Sequence, residues 1–240
     1  MKITDVTKQA RKLLKLKYCG AVIVAAGNAS RMEGIDKVMA EIGGEPMILR
    51  TVRTFQNCDA IREIVIVTRP DLLTRIMGLC KDMDKVTAVV AGGKDRAESV
   101  GLGLNALSSK VKLVAVQDGA RPLVSWQVID RTVRVANTYG AAAPAIPVKD
   151  TIKEVDGGLV TATPDRSRLQ AVQTPQVFDF DLLRGALKKA KEEEIAITDD
   201  CSAVEQLGFK VRMVEGDEKN IKVTTPLDLK IAELFLEEMA

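Results

Sequence analysis

Short runs rich in β-branched and other apolar residues alternate along the chain with stretches of helical periodicity. The strand-like runs fall at residues 21–26, 63–68, 86–90, 112–117 and 141–146, and the helical stretches between them at 46–57, 71–81, 95–108 and 125–137. This alternation predicts a parallel sheet with helices on both faces. We therefore expect an α/β fold with a Rossmann-like, mostly parallel, doubly wound sheet, in which a ligand binds at the carboxyl ends of the strands.

The alternation stops after residue 146. Residues 147–174 contain the pair Gly157-Gly158 between two strand-like runs, a pattern typical of a β-hairpin. We interpret this segment as a protruding β-arm. Because an isolated hairpin is only marginally stable in water, two arms that clasp each other in a symmetric homodimer are the simplest solution. An arm that folds back on its own subunit is the alternative.

The rest of the chain shows no domain linker. After the arm, the sequence predicts helices near 179–194 and 200–207, strand-like runs at 210–214 and 221–223, and a last helix from residue 226. We interpret residues 21–240 as a single domain that carries the arm, and residues 1–20 as a leader that is helical or frayed.

The basic residues of 1–17 precede a short apolar run, as in a signal peptide. A buried first strand explains that run better. No run approaches the roughly 18 apolar residues of a membrane span. The four cysteines are scattered and form no CxxC pair, which is typical of reduced thiols. We therefore expect a cytoplasmic protein that does not insert into a membrane.

The chain contains no histidine. This excludes Ser-His-Asp and Cys-His catalysis and histidine-ligated metals, so any chemistry must use carboxylates, lysines, arginines and hydroxyls. Lys and Arg total 35 against 33 Asp and Glu, and aromatic residues make up 3%. We expect no nucleic-acid surface from this balance, whereas a local basic pocket for one phosphorylated ligand is compatible with it.

The first chemical motif is the loop after the first predicted strand. Its small residues let backbone N–H groups approach phosphate oxygens, and Arg31 and Lys37 add positive charge. The loop is neither a Walker A sequence nor a GxGxxG fingerprint. An ordinary turn with solvated basic residues is the alternative.

Two further motifs follow along the chain. Asp118 lies where a predicted buried strand ends, a position suited to holding Mg²⁺ beside phosphates, with Arg121 close by; the alternative is a turn-capping Asp118 paired with Arg121. Lys222 lies between Ile221 and Val223, and in a half-buried strand it would point away from both. An exposed edge-strand lysine is the alternative there.

The segments AAGNASRM, QDGARP, AVQTPQ and NIKVTTPLDL, with GGKDRAESV and AIPVKDTIKEV, occur in an order and at spacings that resemble 2-C-methyl-D-erythritol 4-phosphate cytidylyltransferases. The resemblance extends from about residue 21 to the end of the chain. It implies transfer of a cytidylyl group from CTP to a small polyol phosphate, with release of pyrophosphate, in the non-mevalonate route to isoprenoid precursors. A divalent cation such as Mg²⁺ and a homodimer are implied as well.

The resemblance also implies roles for individual residues. The catalytic cations would be Arg31, Lys37 and Lys222, and the metal ligand Asp118. Substrate binding would fall to Ala25, Ala26, Gly27, Gly92, Gly93, Ser99, Arg121, Thr151, Arg166, Thr174 and Thr198, of which Thr151 and Arg166 would serve the partner's site. The sequence departs from the family at Asp36, where a proline is usual, and at Lys94, where an acidic residue is frequent.

The expected chemistry suits a chain without histidine. A phosphate monoester has a second pKa of about 6 and is mostly dianionic at neutral pH, so it needs no general base. Catalysis then consists of positioning and charge stabilisation. Three other readings compete with this one: a ribitol-5-phosphate cytidylyltransferase, a nucleotide-sugar pyrophosphorylase and a non-catalytic nucleotide-binding protein.

Overall fold

The structure is a computed structural model that describes residues 16–27 and 36–238. The strands are β1 (Cys19–Ala25), β2 (Glu41–Ile42), β3 (Glu45–Pro46), β4 (Glu63–Thr68), β5 (Val86–Ala91), β6 (Leu113–Asp118), β7 (Ala141–Pro147), β8 (Glu154–Asp156), β9 (Leu159–Ala162), β10 (Gln170–Val172), β11 (Gln176–Asp179) and β12 (Arg212–Glu215). The helices are α1 (Met47–Gln56), α2 (Leu73–Leu79), α3 (Arg96–Ala106), α4 (Trp126–Tyr139), α5 (Phe180–Glu192), α6 (Asp200–Glu205) and α7 (Pro226–Glu237).

Eight of these strands form the central sheet, in the order β10-β7-β11-β6-β1-β4-β5, with β12 paired to β7. Strands β6, β1, β4 and β5 are mutually parallel, whereas β11 runs antiparallel to both β6 and β7. The mostly parallel α/β sheet predicted from the sequence is confirmed. After β1 the chain first adds β4 and β5 on one side and then β6 on the other, so the order reverses between β1 and β6. A crevice at the carboxyl ends of these two strands is where such folds bind ligands.

Both faces of the sheet are buried. Along β1, Ala21 and Ile23 contribute to one apolar core, and Val22 between them contributes to the other, because successive side chains of a strand point to opposite faces. The first core includes residues of α1, α2 and α4, and the second includes residues of α3, α5 and α6. This two-sided burial explains why the strands read as continuous apolar runs.

Some predicted elements differ from the structure in extent or type. β1 begins at Cys19, two residues earlier than expected, and the helix expected at 71–81 is a 3₁₀ turn at Pro70–Leu72 followed by α2. The strand expected at 221–223 is absent: the segment is irregular, and Val223 makes one backbone hydrogen bond, to the carbonyl of Ala120 at 2.8 Å. Val223 is fully buried and Lys222 is exposed, so the alternation of burial that suggested a strand arises without one.

The segment after β7 contains the predicted hairpin. β8 and β9 pair only with each other in a separate two-stranded sheet, and Gly157 and Gly158 at its turn have φ of +54° and +83°. Two successive positive φ values match the tight turns that follow the twist of a hairpin. The chain then returns as β10, which runs antiparallel along β7 in the main sheet. Among the described residues, no helix is long and apolar enough to cross a membrane.

Candidate active site

A cavity of about 610 Å³ opens at the carboxyl ends of β1, β4, β5 and β6. It lies at the reversal of strand order described above. Nine of the residues singled out from the sequence line it: Ala25, Ala26, Gly27, Lys37, Gly92, Gly93, Ser99, Asp118 and Lys222.

Asp118, the last residue of β6, lies among three cationic side chains. Its Oδ2 is 2.8 Å from Lys222 Nζ and 4.0 Å from Arg121 Nε, and its Oδ1 is 3.5 Å from Arg96 Nη2. Burial of the side chain opposes its ionisation, but the charges of Arg96, Lys222 and Arg121 outweigh that effect and lower the pKa of Asp118. Asp118 is therefore a carboxylate, and the charge around it is net positive.

Arg96 is a site residue that the sequence analysis missed. It lines the cavity as the first residue of α3, which begins there because the Asp95 carboxylate accepts the N–H of Glu98 at 2.8 Å. Its Nη1 is 2.7 Å from Oδ2 of Asp200. Burial disfavours its charge, but Asp200 and Asp118 outweigh that cost and raise the pKa of Arg96. Its place directly after a strand-and-glycine segment, at the same sheet edge as Asp118, was the signal that could have identified it.

Asp200 has no solvent-exposed side-chain surface. Burial raises its pKa in spite of the nearby charge of Arg96. Neither of its carboxylate oxygens has an aligned hydrogen-bond partner in the described part of the chain. The contact with Arg96 is therefore a close ion pair that offsets only part of the cost of burying this carboxylate.

The irregular segment that carries Lys222 is fixed by buried polar contacts. Arg121 Nη1 donates to the carbonyl of Asn220 at 2.6 Å, and Asn220, itself fully buried, donates from Nδ2 to the carbonyl of Thr174 at 3.0 Å. The N–H of Asp118 donates to Thr174 Oγ1 at 3.1 Å. Arg121 and Thr174 thus lie behind Asp118 and Lys222 and connect them.

The loop after β5 closes another side of the cavity. The N–H of Gly93 donates to Ser99 Oγ at 3.1 Å, and Ser99 Oγ donates to the carbonyl of Asp95 at 2.8 Å. A Cβ at Gly92 would overlap the Cβ of Ala26. Glycine is therefore needed at position 92 for this loop to approach the end of β1 so closely.

Asp36, which stands where the resembling family has proline, forms a specific contact. Its Oδ2 accepts from Arg69 Nη2 at 2.6 Å and its Oδ1 from the N–H of Val38 at 3.1 Å. Arg69 also pairs with Asp71, at 3.2 Å. The ion pair ties the segment next to Lys37 to the loop after β4, and the negative charge of Asp36 is matched by Arg69.

Three predicted site residues lie away from this cavity, and a fourth is not among the described residues. Arg31 falls outside the described residues. Thr151 and Arg166 are exposed near the hairpin and do not line the cavity, and Arg166 Nη1 donates to the carbonyl of Lys149 at 2.6 Å. Thr198 lines a second cavity of about 950 Å³ between α3 and α5.

The described residues contain no group of three or more His, Cys, Asp or Glu side chains that could hold a metal ion. A cation at Asp118 would therefore take most of its ligands from phosphates and water. Mg²⁺ is commonly bound in this way, through one or two carboxylates and the phosphates of a substrate. The donor set fits such an ion.

Comparisons with known proteins show the family of the chain. The family model described as 2-C-methyl-D-erythritol 4-phosphate cytidylyltransferase matches residues 19–238. Relatives carrying that name include one from Caldanaerobacter subterraneus subsp. tengcongensis, 43% identical over 91% of this chain and 98% of the relative, and one from Symbiobacterium thermophilum, 45% identical over 91% and 93%. The solved structure of 4-diphosphocytidyl-2C-methyl-D-erythritol synthase from Anaerococcus prevotii matches with a TM-score of 0.84 at 32% identity, covering 92% of this chain and 96% of that one.

Proposed function

The chain belongs to the 2-C-methyl-D-erythritol 4-phosphate cytidylyltransferase family, and we propose from the cavity at Asp118 how its residues carry out that reaction. The enzyme transfers the cytidylyl group of CTP to 2-C-methyl-D-erythritol 4-phosphate and releases pyrophosphate, a step of the non-mevalonate route to isoprenoid precursors. An oxygen of the acceptor phosphate forms a bond to the α-phosphorus of CTP. The bond from that phosphorus to the bridging oxygen breaks, and pyrophosphate leaves with the electron pair.

The observation that carries the assignment of roles is the group of cationic side chains around Asp118, the buried carboxylate at the end of β6. Two polyanions must approach each other in this reaction, and their repulsion is the main obstacle. Lys222 at 2.8 Å, Arg96 at 3.5 Å and Arg121 at 4.0 Å surround Asp118 with an excess of positive charge. Fixed cations of this kind favour the charge that develops in the transition state.

Lys222, Lys37 and Arg31 are the catalytic cations in this proposal. Lys37 and Lys222 both line the cavity although they are far apart in the sequence, and Arg31 precedes Lys37 in the sequence. The acceptor phosphate needs no general base, since its second pKa is about 6. The absence of histidine from the chain is consistent with that chemistry.

Asp118 would hold a divalent cation, Mg²⁺ or a similar ion. When bound, such an ion stabilises negative charge on the phosphates. Three cationic side chains already compensate the charge of Asp118, so this carboxylate alone offers a free cation little attraction. We therefore propose that the cation arrives with the triphosphate.

The cytosine would bind between the backbone of Ala25, Ala26 and Gly27 and the loop of Gly92, Gly93 and Ser99. These residues line the same cavity from two adjoining strand ends, and small side chains there leave room for a flat base. We also propose that Thr174 and Thr198 contribute to substrate binding. Thr174 would act through the N–H of Asp118, to which it is hydrogen-bonded.

The arm suggests how the acceptor is held. Val155, Leu159 and Val160 of the hairpin are exposed by 58%, 74% and 59%, and an apolar hairpin of this kind is poorly stable without a partner. We propose a homodimer in which Thr151 and Arg166 of each arm serve the partner's site, while Asp118 and Lys222 serve their own. We also place the reaction in the cytoplasm, since the four cysteines are buried and unpaired, as is usual for reduced thiols.

Pyrophosphate release tests the function. The four nucleoside triphosphates would each be offered with 2-C-methyl-D-erythritol 4-phosphate, ribitol 5-phosphate and a hexose 1-phosphate. We expect release with CTP and the first acceptor only. Faster release with ribitol 5-phosphate would favour the sibling cytidylyltransferase, and release with hexose 1-phosphate a nucleotide-sugar pyrophosphorylase.

A further inference from the structure

We propose that Asp200 is a positioning residue for this reaction, acting through Arg96, and that Arg96 is a further cation of the nucleotide site. This inference rests on the proposed function of the cavity. Arg96 is held between two carboxylates, with Nη1 at 2.7 Å from Asp200 and Nη2 at 3.5 Å from Asp118. Its side chain is 30% exposed and lines the cavity, whereas the side chain of Asp200 is fully buried and does not line it.

Stability does not explain why a carboxylate occupies position 200. Its side chain has no exposed surface, and no aligned hydrogen bond satisfies its oxygens in the described part of the chain. A buried ion pair of this kind is often no more stabilising than apolar side chains of similar volume. The cost of burying a carboxylate at position 200 is better explained by its contact with Arg96.

The geometry indicates that effect. Asp200 holds one end of the guanidinium, so the other end reaches Asp118 only at 3.5 Å and still faces the cavity. Without the charge at position 200, Arg96 would lose the main attraction that draws it away from Asp118. Arg96 would close on that carboxylate, compete for its oxygens and present less of its charge to a triphosphate.

One segment of the chain supports both carboxylates. Gln176, at the start of β11, accepts the N–H of Cys201 at 3.0 Å and donates to Asp199 at 2.7 Å, which fixes the beginning of α6 and hence Asp200. Two residues earlier, Thr174 accepts the N–H of Asp118 at 3.1 Å. Residues 174–176 therefore fix Asp118 and Asp200 relative to each other. This in turn fixes the distances from Arg96 to both carboxylates.

The test is binding of a non-hydrolysable CTP analogue with Mg²⁺, measured by calorimetry without acceptor, next to thermal unfolding. Asp200→Asn keeps the shape of the side chain and removes its charge, and we expect binding weaker by about tenfold or more. Arg96→Lys keeps a charge that reaches only one carboxylate and should weaken binding similarly. Because Asp200 acts through Arg96, the double variant Asp200→Asn/Arg96→Ala should bind no worse than Arg96→Ala alone.

Glu63→Gln is the matched control. Glu63 is a buried carboxylate at the opposite end of β4, bonded to the N–H and Oγ of Ser108 at 2.8 and 2.6 Å. Glu63→Gln should lower the unfolding temperature and leave binding of the CTP analogue unchanged. Parent-like binding by Asp200→Asn or by Arg96→Lys overturns the inference, as do additive losses in the double variant. If Asp200→Asn does not fold, Arg96→Lys decides alone. Failure of the parent itself to bind the analogue would instead contradict the proposed function.

Discussion

At the scale of single residues, the site depends on how one carboxylate is shared among several cations. Asp118 contacts Lys222 in the free protein, whereas the proposed reaction requires Lys222 to meet a phosphate. The ion pair at 2.8 Å involves a lysine whose side chain is 44% exposed, so solvent screening weakens it. Lys222 can therefore exchange one anionic partner for another at modest cost when the triphosphate binds.

Lys222→Ala tests that exchange. We expect turnover to fall at least about a hundredfold, the usual effect of removing one fixed charge-stabilising donor, with an unchanged unfolding temperature because the side chain is partly exposed. Lys219→Ala is the matched control: Lys219 pairs with Glu238 at 2.9 Å and does not line the cavity. Near-normal turnover in folded Lys222→Ala enzyme would remove Lys222 from the catalytic group.

Asp118→Asn should abolish the response of activity to Mg²⁺, because the cation that arrives with the triphosphate would no longer be held at the strand ends. The amide keeps the shape of the side chain but lacks the charge that holds a hard cation. The measurement is activity as a function of Mg²⁺ concentration at fixed CTP. Asp71→Asn serves as a control, because Asp71 also lines the cavity but is 63% exposed and pairs with Arg69. A variant at position 118 with the parent's Mg²⁺ midpoint would show that Asp118 is not the ligand.

At the scale of elements, the sequence predicted best the strands that are buried on both faces. β4 lies at 63–68 as expected, and the hairpin turn lies at Gly157-Gly158. A β-branched run favours the extended backbone, and paired glycines permit the positive φ values of a tight turn. The strand expected at 221–223 was wrong, since its burial pattern comes from one backbone bond and one buried valine rather than from a ladder. Arg96 was missed for a similar reason: its partner Asp200 lies on a helix 104 residues later in the chain, and no local pattern connects the two.

Helix α3 offers a test of its packing against the sheet. A Cβ at Gly101 would meet no atom within 4 Å, so Gly101→Ala should stabilise the enzyme by about 0.5–1 kcal/mol through helix propensity. Gly103, on the buried side of the same helix, would place a Cβ against Val22 and Val67 of β1 and β4. Gly103→Ala should therefore destabilise, by roughly 1–3 kcal/mol. Denaturant unfolding of the two variants measures the contrast, and equal shifts would contradict this packing.

At the scale of the whole molecule, we propose that two chains complete each site. Thr151 and Arg166 do not line the cavity that holds Asp118 and Lys222, which suits arms that reach a partner. Asp118→Ala and Arg166→Ala homodimers should both be nearly inactive. In a mixed dimer one site carries both defects and the other carries neither, so co-expression should restore up to one working site per dimer. A mixed dimer that forms without recovered activity would assign Arg166 to its own subunit's site, and a monomer in solution would remove the premise.

The central claim is that this chain joins the cytidylyl group of CTP to 2-C-methyl-D-erythritol 4-phosphate. The most direct measurement gives the enzyme CTP labelled at the α-phosphorus together with equal concentrations of 2-C-methyl-D-erythritol 4-phosphate and ribitol 5-phosphate, with Mg²⁺, and separates the products. We expect the label almost entirely in the cytidine diphosphate derivative of methylerythritol, with one equivalent of unlabelled pyrophosphate. Label mainly in the ribitol product, or retained in CTP, would contradict the account.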